Sequence, residues 1–440
     1  MTDARIAKLY GRRVWDSRGR PTVEVEAHIT DGAVGRAIAP AGASTGQGEA
    51  LDLRDGGSRF GGLDVHRAVG SVNNEIAPAL KGQDATDQES VDRLLVDLDG
   101  TPDRSRLGGN AIVATSMAVL HAAAASADKP LWLHLSGGRP VRIPLPEIQI
   151  FGGGAHADRR VDVQDFMVVC PAAGSFSEAL DWTAEIYRAA GRLMRKAGKT
   201  GGVADEGGFW PAFDSNEEAL ETLTLAIETA GFGPSSQVGI SLDIAASQFG
   251  SAGKYTLALD DRALDTGALI EMLGRWIEHY PILSIEDPLG EDDHEGMVEF
   301  TRLYGDRCQV IGDDFLVTSA QRVEAAAAGK AANAVLVKPN QAGTVTEAPG
   351  EVVFRSVALR GSAADPTGRK AESDDARTVP ARTVRKLTFS PHRKCHGTSS
   401  LSAPRGRGRG AGAPVRPARG RTQGTDGEHL PRPRGRAGTT

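Results

Sequence analysis

Cysteine is scarce in this chain: Cys170, Cys308 and Cys395 are three scattered residues among 440. An odd, dispersed set argues against a disulfide framework and for a reducing compartment, the cytoplasm. Aromatic residues reach only 5%. Apolar runs are short, none approaching the ~20 residues that span a bilayer, which argues against a membrane protein. The opening Met1-Thr2-Asp3-Ala4-Arg5 has no apolar segment of the kind a secretory signal carries. What is present is ordinary for a soluble globular protein: 40% hydrophobic and 25% charged residues, in a chain long enough for a large core and two domains.

The net charge of -6 hides an asymmetry. Residues 349–440 hold 19 Lys and Arg against 7 Asp and Glu, so the preceding body is acidic and the tail basic. The last 40 residues, 401–440, are dominated by Arg, Gly, Pro and Ala, a composition that cannot bury a core and reads as disordered. A basic tail raises the possibility of nucleic-acid contact. This one has almost no aromatics to stack on bases, which argues against that partner. GC-rich coding DNA read out of frame yields the same four residue types. The pattern breaks at Pro349-Gly350, inside what Thr344-Val345-Thr346-Glu347 marks as the first turns of a helix rather than at a domain boundary. An interior proline costs a helix ~3 kcal/mol. The out-of-frame reading is therefore favoured, and resequencing around codons 340–360 is expected to find a single-base insertion or deletion.

Residues 5–30 read as a hairpin: the turn chemistry of Asp16-Ser17-Arg18-Gly19 precedes the alternation Thr22-Val23-Glu24-Val25-Glu26. A loop of small residues, Ala41 to Gly46, follows, and residues 63–127 look largely helical. Strands followed by helices indicate an α+β domain over 1–137. From about residue 140 strands and helices alternate. Ser215-Asn216-Glu217-Glu218 is a capping box, opening an apolar series Leu220, Leu223, Ala226, Ile227. Strands are expected over 236–244, 282–286, 308–312 and 334–338, and helices over 267–280 and 320–328.

Five charged residues each follow a short apolar run: Glu206, Asp243, Glu286, Asp313 and Lys338. From Asp243 onward their spacings are 43, 27 and 25 residues, which suit β-loop-α-loop units of a parallel sheet. Ending a buried strand in a charge is costly unless the charge has work there. In a (β/α)8 barrel the C-terminal strand ends form the active-site face. Carboxylates and a lysine converging on that face suggest a hard divalent cation beside a proton-abstracting base. Asp313-Asp314 alone would more often be a turn or helix cap; three such strand ends in one repeating frame favour the metal.

The segments DSRGRPTVEVE, APAGASTG, LGGNAIVATSMA, GGGAHA, ADEGGFWP, SLDIAASQF, SIEDPLGEDD, GDDFLVT and LVKPNQAGT closely resemble the enolase (phosphopyruvate hydratase) family, from about Arg5 to Ala348. The resemblance implies an α/β fold, an enolase-type (β/α)8 barrel with an α+β N-terminal capping domain. It divides the chain into a cap at 1–137, a barrel at 138–348 and an atypical tail at 349–440. The first barrel units should depart from regular βα order. By the same resemblance, Asp243, Glu286 and Asp313 are ligands of a tightly held Mg2+. Lys338 is the base that removes the proton beside the substrate carboxylate, and Glu206 is the acid that helps the hydroxyl leave. Ser44 binds a second magnesium from a mobile loop that also meets the substrate, and His156 and Asp165 line the substrate site. The implied substrate is a small phosphorylated carboxylic acid and the implied assembly a homodimer.

The family continues with a Ser-His-Arg-Ser segment and a second active-site lysine, neither recognisable here. His392-Arg393 lies 54 residues beyond Lys338, about twice the family interval, and reads as coincidence. The barrel is therefore expected to be incomplete at its C-terminal end. Asp165 stands where the family has Glu, and Gln248 replaces another Glu. Such changes leave open a paralogue acting on a phosphonate carboxylic acid, in the manner of the enolase-like carboxyphosphonoenolpyruvate synthase, or an inactive homologue.

Overall fold

The computed structural model describes residues 4–42 and 45–348. The expectations for Ser44, for the 349–440 tail and for His392-Arg393 concern residues outside that range.

The hairpin forms as expected. Strand β1 (Ile6–Trp15) pairs antiparallel with β2 (Pro21–Ile29), with Trp15 opposite Pro21. Asp16 closes the turn: its Oδ1 accepts from the N–H groups of Arg18 (2.9 Å) and Arg20 (2.8 Å). Gly19 takes the left-handed φ of 72°. Strand β3 (Val34–Ile38) extends the meander beside β2, and the helix Gly109–Ser126 lies across it. That helix is long and apolar enough to cross a membrane by length and composition, yet 78% of it is buried inside the fold. Its alanines allow a close approach. A Cβ on Gly35 would stand 2.1 Å from the backbone N of Ala122 and 2.2 Å from the Ala118 oxygen. Gly35→Ala is therefore expected to lower stability by ~1–3 kcal/mol through overpacking. The denaturation midpoint checks this; an unchanged midpoint would mean the helix can move aside.

The second part is built on strands β4 (Glu147–Gly152), β5 (Asp165–Val169), β6 (Thr200–Val203), β7 (Phe209–Pro211) and β8 (Gly239–Asp243). A small antiparallel sheet follows, made of β9 (Gly250–Ser251), β10 (Lys254–Leu257) and β11 (Arg262–Asp265). Then come β12 (Ile282–Glu286), β13 (Gln309–Gly312) and β14 (Ala334–Val335). Among the described residues one eight-stranded sheet runs in the order β14-β13-β12-β8-β5-β4-β7-β6. Strands β8, β12, β13 and β14 are mutually parallel, whereas β5 is antiparallel to both β4 and β8. The first barrel units thus depart from regular βα order.

Among the described residues five helices connect the barrel strands, and each begins with a side chain accepting a hydrogen bond from a first-turn N–H. Ser175, Ser215, Asp265, Asp293 and Ser319 do this for Phe176–Ala197, Asn216–Thr229, Thr266–His279, His294–Tyr304 and Ala320–Gly329. Each cap contributes ~1 kcal/mol and sets where its helix starts. On Thr266–His279 the 3.6-residue period buries Leu269, Leu273 and Trp276, each adding ~1.5–3 kcal/mol by burial. Among the described residues two separate apolar clusters result, one under the β1–β3 meander and one formed by the barrel strands and the helices packed on them. Cys170 packs fully buried in the second.

Three local expectations need correction. The Ser215 capping box closes on one side only. Ser215 Oγ accepts from Glu218 N–H (3.1 Å), but the Glu218 carboxylate turns to Lys199 Nζ (2.5 Å) and Asp214 N–H (2.8 Å). A charged partner outcompetes the neutral reciprocal bond. The strand expected over 334–338 stops at Val335. Leu336 N–H still reaches Gly312 O (3.0 Å), but Lys338 N–H leaves the ladder for Thr318 Oγ1 (2.9 Å), and Lys338 stands just before the short helix Pro339–Ala342. Glu206 does not end a buried strand. It sits in the turn between β6 and β7, and β6 is largely exposed because Thr200-Gly201-Gly202 offers nothing apolar to bury.

Candidate active site

Strand register sets the geometry. Gly152 ends β4 opposite Asp165, which starts β5. Asp165 lies opposite Asp243 at the end of β8, and Asp243 opposite Glu286 at the end of β12. One row across four strands therefore carries three carboxylates. The reversal of β5 explains why a strand beginning joins strand endings. Glu286 also pairs with Ile311, so Asp313 follows two residues beyond that row. Lys338 completes the group, its Nζ 2.5 Å from Asp313 Oδ2.

Asp165, Asp243, Glu286, Asp287, Asp313 and Asp314 are all at most 5% exposed. Burying so many carboxyl groups together is expensive without compensating positive charge. Two of them show the strain. Burial, then the charges of Asp313 and Asp243, push the Asp314 carboxyl up to about 7. Burial and the same kind of crowding hold Asp287 well above the ordinary carboxylate range. Asp314 Oδ1 is buried without a hydrogen-bond partner. Hard oxygen donors converging in a buried cup are the donor set a divalent cation such as magnesium takes, so the residues fit that ion.

Asp287 organises the cup. Its φ of 40° lies in the left-handed region, and its two oxygens accept from the backbone N–H groups of Asp313 (3.0 Å) and Asp314 (2.7 Å). The end of β12 thereby fixes the loop after β13. Gln164 Nε2 donates to Asp243 Oδ2 (2.7 Å), and Gln248 donates in turn to Gln164 while accepting from Ala155 N–H (2.9 Å). An obligate donor at one end and a carboxylate at the other fix the direction of both amides.

A second cluster adjoins the row. His156, 8% exposed in the turn after β4, points Nε2 at Glu206 Oε1 (3.5 Å) and Asp165 Oδ2 (3.9 Å), and Nδ1 contacts Asp205 Oδ1 (2.6 Å). One ligand atom from each of His156, Asp165 and Glu206 falls within 4.8 Å of the others, a group that could itself hold a metal ion. Gln149 Nε2 donates to Asp165 Oδ1 and Gln149 Oε1 accepts from Gly208 N–H (2.9 Å), tying β4 to the Glu206 turn. Arg18 bonds Asp205 and Ala41 O (3.0 Å), so the first hairpin reaches this mouth too.

Burial alone would lower the His156 pKa, but the Asp205 bond and the charges of Asp165, Glu206 and Asp205 outweigh it and raise it. The stabilisation from the charged imidazole is full below the ordinary histidine value and is lost as pH rises through the raised one. Asp205→Asn is expected to move the His156 titration midpoint downward in an NMR titration. An unmoved midpoint would mean that Asp205 does not hold the imidazolium.

The structure thus brings Asp243, Glu286, Asp313 and Lys338 to one face, with His156, Asp165 and Glu206 beside them. Sequence reasoning assigned no role to Glu49, Gln149, Gln164, Asp205, Asp287, Asp314, Thr318 or Gln341. Gln164, Asp205, Asp287, Asp314 and Gln341 lie one to three residues from a predicted site residue, and that adjacency was the available signal. Thr318 closes the GDDFLVT segment but has no chemical signal of its own, and Glu49 and Gln149 are brought in only by the fold.

Two family models and a curated relative match this chain. Residues 6–135 match the family model for the enolase N-terminal domain, and residues 140–375 that for the enolase C-terminal TIM barrel domain. Enolase 1 of Desulfitobacterium hafniense (strain Y51) is 44% identical over 357 residues, covering 80% of this chain and 82% of that protein. Both matched domains, the shared sequence and the carboxylate-and-lysine face place this chain in the enolase family, as a lyase of the phosphopyruvate hydratase type.

Proposed function

We propose that the chain is a magnesium-dependent dehydratase interconverting 2-phosphoglycerate and phosphoenolpyruvate. One observation carries the reading: Lys338 Nζ sits 2.5 Å from Asp313 Oδ2, beside the strand-end pair Asp243 and Glu286. Asp243, Glu286 and Asp313 would hold magnesium, and Ser44, outside the described residues, would add a contact from its loop. Magnesium supplies positive charge that offsets the charge gathering on the substrate carboxylate as the adjacent carbon loses its proton. Lys338 takes that proton, which requires a neutral amine and hence an opened Asp313 salt bridge. Glu206 gives a proton to the departing hydroxyl, so that water leaves. Asp165 and His156 orient the substrate from the β4–β5 side, and a charged His156 suits a phosphorylated ligand. A homodimer and a cytoplasmic location are part of the same proposal.

One observation favours a second substrate. Asp165 replaces a longer Glu, and its Oδ1 is taken by Gln149. The shorter side chain would leave about one methylene of room beside it, and a phosphonate carboxylic acid is the alternative substrate this would suit. The test is phosphoenolpyruvate formation from 2-phosphoglycerate, with and without Mg2+. Magnesium-dependent product supports the first reading. Turnover of a phosphonate analogue alone supports the second, and turnover of neither marks an inactive homologue.

A further inference from the structure

Gln341, 3% exposed, is bonded on every side. Its Nε2 donates to Asp313 Oδ1 (2.8 Å) and to Glu49 Oε1 (3.1 Å), and its Oε1 accepts from Thr318 Oγ1 (2.6 Å). Its backbone oxygen accepts from Ala50 N–H (2.8 Å). Glu49 Oε1 also accepts from Gly46 N–H (2.8 Å), and Thr318 Oγ1 accepts from Lys338 N–H (2.9 Å). Gly46 in turn presses on the cup: a Cβ there would stand 2.8 Å from Asp314 O and 2.9 Å from Asp314 Cα. One buried amide thus touches a cation-ligand candidate, the residue supporting the Lys338 backbone, and a turn nearly 300 residues earlier in the chain.

The direction of this amide is forced. Both partners of Nε2 are carboxylates, which accept, and the partner of Oε1 is a hydroxyl, which can donate. A glutamine satisfies all three with one side chain. An apolar residue of similar size would leave two buried carboxylates facing each other without the shared donor, a strongly unfavourable arrangement.

We propose that Gln341 is a positioning residue that couples order in the 45–50 turn to cation affinity at Asp313. The inference rests on the reading of Asp313 as a cation ligand. A cation drawing Asp313 into a fixed place fixes Gln341 through Nε2, and Gln341 fixes Glu49 and Ala50. By linkage, loosening the turn must weaken the cation by the same factor.

The full chain is titrated with Mg2+ by calorimetry, and hydrogen exchange across residues 45–50 is followed with and without the ion. In the wild type, Mg2+ is expected to slow that exchange. Gln341→Leu should weaken Mg2+ about tenfold and abolish the Mg2+ effect on residues 45–50. Thr318→Val, close in shape but leaving Gln341 Oε1 and the Lys338 N–H without their hydroxyl partner, should weaken both in part, and Thr318→Ser, which keeps the hydroxyl, should restore both. Wild-type affinity in Gln341→Leu overturns the coupling. So does weakened affinity with Mg2+-dependent protection of the turn retained, or equal behaviour of the Val and Ser variants. If the wild type binds no Mg2+ at all, the function reading fails. The coupling is then judged without metal, and unchanged exchange at 45–50 in Gln341→Leu sinks it too.

Discussion

Lys338→Ala is expected to lower phosphoenolpyruvate formation by ~10²–10⁴-fold, the range a positioned proton-transfer group supplies, while leaving Mg2+ affinity equal or higher. The two halves of this result have one cause. Lys338 Nζ is 2.5 Å from Asp313 Oδ2, so the ammonium and a divalent cation compete for the same carboxylate. Removing the ammonium removes the competitor along with the base. A structural role for the salt bridge would give the opposite pattern, because Asp313 would lose its orientation and cation affinity would fall. The Lys338 backbone is held independently by Thr318 (2.9 Å), so truncating the side chain need not disturb the loop. The measurements are turnover at saturating Mg2+ and calorimetric titration on the same preparation. Unchanged turnover would remove Lys338 from the proton-transfer step.

The strand ends of β8, β12 and β13 were legible because a buried parallel strand is a short apolar run with a charge after it. Nothing else in such a run explains Asp243, Glu286 or Asp313. Asp165 was harder. It begins an antiparallel strand, and only the β5–β8 register shows that its beginning lies level with the other strands' ends. Glu206 was legible in its motif but not in its setting, since a glycine-rich hairpin strand has no hydrophobic period to read. The expected strand through Lys338 was too long by three residues. Val335, Leu336 and Val337 have the right composition, but a competing hydroxyl from residue 318 takes the Lys338 N–H. Glu49 illustrates what sequence cannot supply. It is an ordinary surface-type acid until Gln341 is folded against it.

Glu286→Gln separates cation binding from fold stability, because its effect should change sign with magnesium. Without the ion, Asp243, Glu286 and Asp313 lie within one buried cup with Asp287 and Asp314, none more than 5% exposed. Like charges at such range in a low-dielectric site repel, and a neutral isostere at Glu286 relieves part of that repulsion. The metal-free variant should therefore be more stable than the metal-free wild type. Adding Mg2+ at about 100 times its dissociation constant stabilises a binding-competent protein by ~2.7 kcal/mol. The wild type should gain that increment, whereas the variant, which has lost one anionic ligand, should gain little. The order of the two denaturation midpoints is then reversed by magnesium. A variant destabilised in both conditions would mean that Glu286 serves packing rather than a cation. A variant that gains as much from Mg2+ as the wild type would place the ion elsewhere, with the His156, Asp165 and Glu206 group as the next site to test by the same pair of measurements.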